Sequence, residues 1–142
     1  MSVERVTAAT DEVADTLARL LPQLSASAKA PSREDLASML DSGALLYVFR
    51  DEGGTLLGAL SMGLYVVPTG RKAIVEDVVV DEAARGQGIG EALVTTAMEA
   101  AREAGVKAVW LTSRSEREAA NRLYRRLGFE QRETNVYVWR PG

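Results

Sequence analysis

Apolar and polar positions recur along this chain with two periods, about two residues in some segments and about three and a half in others, and their order predicts a mixed α/β chain. Val3 to Thr7 has the character of a short strand. Thr10 or Asp11 then caps a helix that carries Val13, Leu17, Leu20 and Leu21 on one stripe and is expected to stop at Pro22. Ser25 to Ala30 is small and polar, a loop suited to shaping a substrate mouth, and Pro31 and Ser32 open a second helix through Leu36, Met39 and Leu40. Leu45 to Phe49 is an apolar run of strand type, Asp51-Glu52-Gly53-Gly54 is a turn, and Leu56 to Val66 returns as the partner strand. After Pro68-Thr69-Gly70, the β-branched run Ala73 to Val80 predicts a long central strand.

From Gly88 to Ala104 the period is helical, with Ile89, Leu93, Ala97, Ala100 and Ala104 facing inward and Gly105 as the stop. Val106 to Leu111 follows as a strand. Ser115 and Glu118 have capping-box spacing for a helix through Ala119, Leu123 and Leu127 that ends at Gly128. Two short strands, Phe129 to Arg132 and Val136 to Trp139, are expected to close the chain. No internal repeat, long linker or low-complexity block interrupts this order, which predicts a single domain, 1–142, built on one mixed sheet.

Composition narrows the chemistry. The chain has 142 residues, 46% of them hydrophobic, enough for one sizeable core. Its 17 basic and 20 acidic residues are mixed along the chain for a net charge of -3, which argues against nucleic acid as a partner. No run of about 18 apolar residues is present to span a membrane, and the first residues lack an apolar signal core, so a cytoplasmic protein is the expectation. There is neither cysteine nor histidine, which removes disulfides, thiolate nucleophiles and the commonest metal ligand and general base. No metal site is expected.

The segment Arg85-Gly86-Gln87-Gly88-Ile89-Gly90 stands between the long strand and the following helix. Helix N-termini carry free N–H groups and the positive end of the dipole, and glycines let a phosphate approach that backbone. A tight strand-to-helix connection needs glycines for its own sake, so this feature by itself serves structure or phosphate binding equally. It is not a nucleotide-hydrolase loop, because no Gly-Lys-Ser/Thr follows, and Glu91 interrupts the Gly-x-Gly-x-x-Gly spacing of dinucleotide sites.

Four motifs taken together are more specific. Val75-Glu76-Asp77-Val78-Val79-Val80, then Arg85-x-x-Gly88-x-Gly90, then Leu111-Thr112-Ser113, then Asn121-x-x-Tyr124-x-x-x-Gly128-Phe129 resemble, in order and spacing, the GCN5-related N-acetyltransferase (GNAT) family. The resemblance covers roughly Ala73 to Tyr137. It implies a mostly antiparallel central sheet of six to seven strands flanked by about four helices, with two splayed parallel strands forming a cleft for acetyl-coenzyme A. Along that cleft, the pantetheine arm would pair with the backbone of Val78, Val79 and Val80. The pyrophosphate would meet the N–H groups of Gln87, Gly88, Ile89 and Gly90, with Gly86 allowing the turn and Arg85 closing it. Asn121 would contact the pantetheine, and Tyr124 would direct its hydroxyl at the thioester sulfur. A backbone N–H near Val78 or Val79 would polarise the acyl oxygen.

Direct N-acylation needs an unprotonated amine and a stabilised leaving thiolate, and no covalent enzyme intermediate. Glu76 is the candidate base, since it breaks an apolar strand just before the expected cofactor contacts; the alternative is an edge carboxylate paired with an arginine such as Arg71. Strand alternation turns Asp77 the opposite way from Glu76 unless a bulge intervenes, as the family often has at this point. A carboxyl group of ordinary acidity is a weak base for an ammonium, so Glu76 would work through water or with the help of burial. Tyr124 is the candidate donor to the thiolate, its alternative being an ordinary aromatic on the stripe with Leu123 and Leu127. The cluster Arg114, Arg117, Arg122, Arg125 and Arg126 reads chiefly as a solvated helix face.

The resemblance places the acceptor among the first helices, the strand at Leu64 to Val66 and the final hairpin, where Tyr65, Ser113, Asn135 and Tyr137 are the candidate liners. The expected function is transfer of an acetyl group to a small primary amine. A protein N-terminal or lysine acetyltransferase and a non-catalytic acyl-coenzyme A sensor are the alternatives, and a homodimer is left open.

Overall fold

The computed structural model describes residues 1–142 and forms two compact units, Met1–Thr112 and Ser113–Gly142. In the first unit, strand β1 (Ser2–Arg5) leads to helices α1 (Asp11–Leu24) and α2 (Arg33–Asp41). Strands β2 (Leu45–Arg50), β3 (Leu56–Val67) and β4 (Gly70–Val80) follow, then a 3-10 turn at Glu82–Ala84, helix α3 (Ile89–Glu103) and strand β5 (Val109–Trp110). The sheet runs in the order β1-β2-β3-β4-β5, antiparallel except for the parallel pair β4 and β5.

Helix caps follow the sequence at both early helices. The Thr10 hydroxyl accepts from the Val13 N–H, and the Ser32 hydroxyl accepts from the Asp35 N–H. α1 continues past Pro22 to Leu24, contrary to the expected stop. A proline in the last turn forfeits a single intrahelical donor, and the packing of Leu17 and Leu20 holds the turns before it.

One face of the sheet is covered by α1 and α2. Val13, Leu17, Leu20 and Leu36 pack there with Leu46, Val48, Leu56, Ala59 and Val79. The other face holds α3, because Gly58, the neighbour of Ala59 on β3, lies so close to Ile89 and Leu93 that an added Cβ would meet their methyl groups at 3.0 and 3.1 Å. Leu20, Leu36, Leu60 and Leu93 are completely buried, each contributing about 1.5–3 kcal/mol of burial energy.

Five strands form where six to seven were expected. The predicted Val106–Leu111 strand pairs only over Val109–Trp110, and neither Phe129–Arg132 nor Val136–Trp139 joins a ladder. Val136, Tyr137, Val138 and Trp139 are exposed, so a β-prone local pattern there lacks the partner strand that a ladder requires. In the second unit, helix α4 (Glu118–Arg126) starts without the predicted capping box. Ser115 Oγ instead donates to Glu116 Oε2, and Arg117 occupies the cap position with no side-chain cap bond. No helix is long and apolar enough to cross a membrane.

At the end of β2, Arg50 joins the strand to its neighbours. Its guanidinium donates to Glu4 on β1 (2.8 and 3.2 Å), to Glu12 on α1 (2.9 Å at both oxygens) and to the Gly54 carbonyl. These bonds hold both carboxyl groups below the usual range. Because the unfolded chain then takes up protons more readily than the native one, this contribution is full above the ordinary carboxylate range and is lost as pH falls through the lowered native values. Arg50→Met should therefore lower Tm at neutral pH and narrow its gap to wild type progressively below about pH 5, as thermal melts across pH will show. A gap that does not change with pH would contradict this linkage.

Candidate active site

β4 and β5 pair only at Ala73 with Val109 and at Ile74 with Trp110. Beyond that point the two parallel strands have no further ladder, and β4 runs on to Val80 with no strand on its outer edge. The opening lies along the residues expected to carry the cofactor arm, Val78, Val79 and Val80.

At the end of that edge the chain makes the 3-10 turn and enters α3. Gly86 and Gly88 adopt φ of +82° and +79°, a left-handed region that L-residues with side chains rarely occupy. Gly88 is the N-cap of α3 and supplies no side chain to it, and the first helical bond is from Ala92 to the Gly88 carbonyl. Helix geometry thus leaves the N–H groups of Gly88, Ile89 and Gly90 without intrahelical acceptors. Arg85, Gly86, Gln87 and Gly88 are exposed, and a Cβ added at Gly86 or Gly88 would meet nothing within 4 Å, so the turn faces open space. Gly90 sits inside the first helical turn with no positive φ.

The turn is gripped from the opposite face of the sheet by α1. Arg19 pairs with the Asp81 carboxylate through Nη1 and donates through Nη2 to the Leu56 carbonyl. Asp81 in turn accepts from the Ala83 N–H, while Gln23 Oε1, one helical turn beyond Arg19, accepts from the Glu82 N–H at 2.8 Å. Sequence reasoning missed this clamp, since no local pattern couples residues about sixty positions apart.

A β-bulge sets the side chains ahead of the turn. Leu60 pairs with Val78 and Met62 with Val75, so Ser61 alone on β3 faces both Glu76 and Asp77 on β4. Asp77 is consequently not turned away, as simple alternation predicts. Its N–H donates to Ser61 Oγ (3.3 Å), Ser61 Oγ lies 3.4 Å from Asp77 Oδ2, and both residues line a cavity of about 90 Å³ beneath α1 and α2. Leu17 and Leu21 of α1, Pro31 and Met39 form its outer wall. Leu46, Ala59, Leu60 and Val79 form the sheet side. Glu76 is exposed and does not line this cavity.

Tyr65 lies farther along β3, paired with Lys72, roughly 13 Å from Ser61 at about 3.3 Å per residue, and is also outside the cavity. No group of three or more Asp and Glu residues gathers as a metal site.

Within the second unit, Asn121 and Tyr124 occupy α4 three residues apart and are both partly buried. The Asn121 amide nitrogen donates to the carbonyls of Arg114 (2.9 Å) and Arg117 (2.8 Å), tying the helix to the segment before it. Tyr124 packs edge-on against Phe129 with centroids 5.8 Å apart. Burial raises its phenol pKa above the ordinary value, with Arg117 opposing. Ser113 is partly buried, and Asn135 and Tyr137 are exposed in the irregular C-terminal segment.

An open-edged strand thus runs into an uncapped, glycine-led helix start. The family profile for acetyltransferases of the GNAT family matches residues 11–129, and the chain belongs to that family. It is an acyltransferase, and the family uses acetyl-coenzyme A as cosubstrate. The chain is 34% identical over 124 residues to a probable glucosamine 6-phosphate N-acetyltransferase of Oryza sativa subsp. japonica, covering 83% of this chain and 72% of that protein. Among solved structures it is similar to a Trypanosoma brucei acetyltransferase, at 28% identity with a TM-score of 0.73, covering 96% of this chain and 99% of that one. An aminoglycoside acetyltransferase from an uncultured soil metagenomic sample, in complex with sisomicin, superposes with a TM-score of 0.83, covering 99% of this chain and 95% of that one. At 22% identity that second likeness is one of fold.

Replacing Arg19 with methionine keeps the helix stripe and removes the clamp on Asp81 and Leu56. We expect a stability loss of about 1–2 kcal/mol, as for a partly exposed charged hydrogen bond. Faster native-state amide exchange at Ala83 to Ile89 should accompany it. Uniform protection along that segment in the variant would show that the clamp does not hold the turn.

Proposed function

We propose that the whole chain, 1–142, acts as one N-acetyltransferase domain that moves an acetyl group from acetyl-coenzyme A directly to a small primary amine. The observation that carries this reading is the left-handed Gly86 and Gly88 pair at the uncapped start of α3, immediately beyond the open edge of β4. In it, the N–H groups of Gln87, Gly88, Ile89 and Gly90 receive the pyrophosphate, Arg85 adds a cation at the rim, and Val78 to Val80 present backbone groups to the pantetheine arm.

The amine nitrogen attacks the acyl carbon, the C–N bond forms and the C–S bond breaks. Glu76, exposed at the bulge, receives the amine proton through water. Tyr124 donates a hydrogen bond from its hydroxyl to the departing thiolate, and Asn121 on the same helix orients the arm. A relative named for acetylating glucosamine 6-phosphate supports a small amine over a macromolecular acceptor.

Calorimetry with acetyl-coenzyme A should give saturable binding, and Gly88→Val should weaken it at least tenfold, because the branched side chain resists positive φ and fills the phosphate approach. Undiminished affinity in that variant would make the turn merely structural.

Thiol release assays should show that Tyr124→Phe lowers kcat by roughly tenfold, less than a full general-acid effect, with cofactor affinity unchanged. Glu76→Gln should lose activity chiefly near neutral pH and recover as rising pH supplies the amine already unprotonated. Wild-type kinetics in both would remove these two roles.

A further inference from the structure

The cavity under α1 and α2 restricts the acceptor further than the acetyl-transfer reading on which this step rests. We propose that the acceptor is a small monoamine with an apolar body, its ammonium held by Asp77, rather than a phosphorylated or polyhydroxylated amino sugar. Leu17, Leu21, Pro31 and Met39 supply the wall that an acceptor would touch, and Ser61 and Asp77 are the polar side chains in the lining. No lysine or arginine is among the lining residues, so a phosphate placed there has no cation to replace its water.

Sugar hydroxyls face the same obstacle. Each one moved from water onto leucine, proline or methionine needs a hydrogen-bond partner, and an apolar wall gives none. An alkyl or aryl group gains from the same surface, and the unbranched Met39 side chain adapts to its outline. The cavity of about 90 Å³ admits a short stem rather than several linked rings.

Asp77 gives the amine its position. The bulge places its carboxylate beside Ser61, whose hydroxyl bonds both its backbone N–H and Oδ2. Val78 to Val80 follow directly on the open edge of β4, within about 3–10 Å along the strand. An ammonium on Asp77 therefore stands next to the proposed acyl groove, with the neighbouring Glu76 available to take its proton through water. Because Asp77 is exposed, its pairing with an ammonium should be worth about threefold to fivefold in affinity rather than more.

The test compares 2-phenylethylamine with glucosamine 6-phosphate, by thiol release with saturating acetyl-coenzyme A and by direct calorimetric binding of each amine. We expect kcat/KM for 2-phenylethylamine to exceed that for glucosamine 6-phosphate at least tenfold. Asp77→Asn, isosteric and exposed, should raise KM for 2-phenylethylamine about threefold to fivefold and weaken its direct binding to match, with acetyl-coenzyme A affinity unchanged. A preference for glucosamine 6-phosphate, turnover of neither amine, or an Asp77→Asn enzyme with wild-type KM would each overturn the proposal. With acetyl-coenzyme A binding intact, such results remove only the acceptor class; loss of that binding in the wild-type protein removes the acetyl-transfer reading and this inference with it.

Discussion

Two residues of β4, Glu76 and Asp77, stand against the single Ser61 of β3, and the candidate site is arranged around that mismatch. An unbroken β4 would carry its alternation through, putting Val79 on the face of Val75 and sending Asp77 toward α3. With the extra residue, Val79 joins the core under α1 and α2, while Val78 pairs with Leu60. Asp77 consequently reaches the cavity on the helical side. The same strand can therefore offer a carboxylate to one ligand and, a few residues on, an open backbone edge to another.

α1 is the second shared support. Leu17 and Leu21 line the cavity, whereas Arg19 and Gln23, also one helical turn apart, hold the backbone of the strand-to-helix turn through Asp81, Leu56 and Glu82. Neighbouring stripes of one helix thus face the proposed acceptor and the proposed phosphate site. A shift or rotation of α1 would alter both together, since the helix is capped at Thr10 and packed through Val13, Leu17 and Leu20 as a rigid piece.

What was legible in the sequence was local. The glycine turn could be read because left-handed φ, a helix start and a preceding β-branched strand all fall within about twenty residues. The four-motif spacing fixed the family from the same kind of information. The cavity was only partly legible. The first two helices and their connection were expected near the acceptor, yet Asp77 and Ser61 acquire their roles from a register shift between strands, which periodicity does not encode. Pro22 and Ser115 misled for the opposite reason, since each carries a strong local signal. Packing carried α1 past Pro22, and Ser115 turned to Glu116 instead of capping α4. The final segment has the alternation of strands, but Val136 to Trp139 finds no ladder, because pairing requires an edge that propensity alone does not provide.

The two halves of the proposed reaction constrain sequence in different ways, and this bears on how far a relative's substrate can be transferred. A pyrophosphate at a helix start is bound by backbone N–H groups, so the recognisable residues are glycines that permit the conformation, and these can persist while other side chains vary. An acceptor is recognised by side chains. A 34% identity to a protein named for glucosamine 6-phosphate is therefore compatible with a common cofactor site and a different acceptor. Here the lining combines one carboxylate and one hydroxyl with an otherwise apolar wall, a surface that offers no cation to pair with a phosphate. If the cavity takes the acceptor as proposed, the side chains in that lining, more than the family's shared glycines, decide which amine can displace its water.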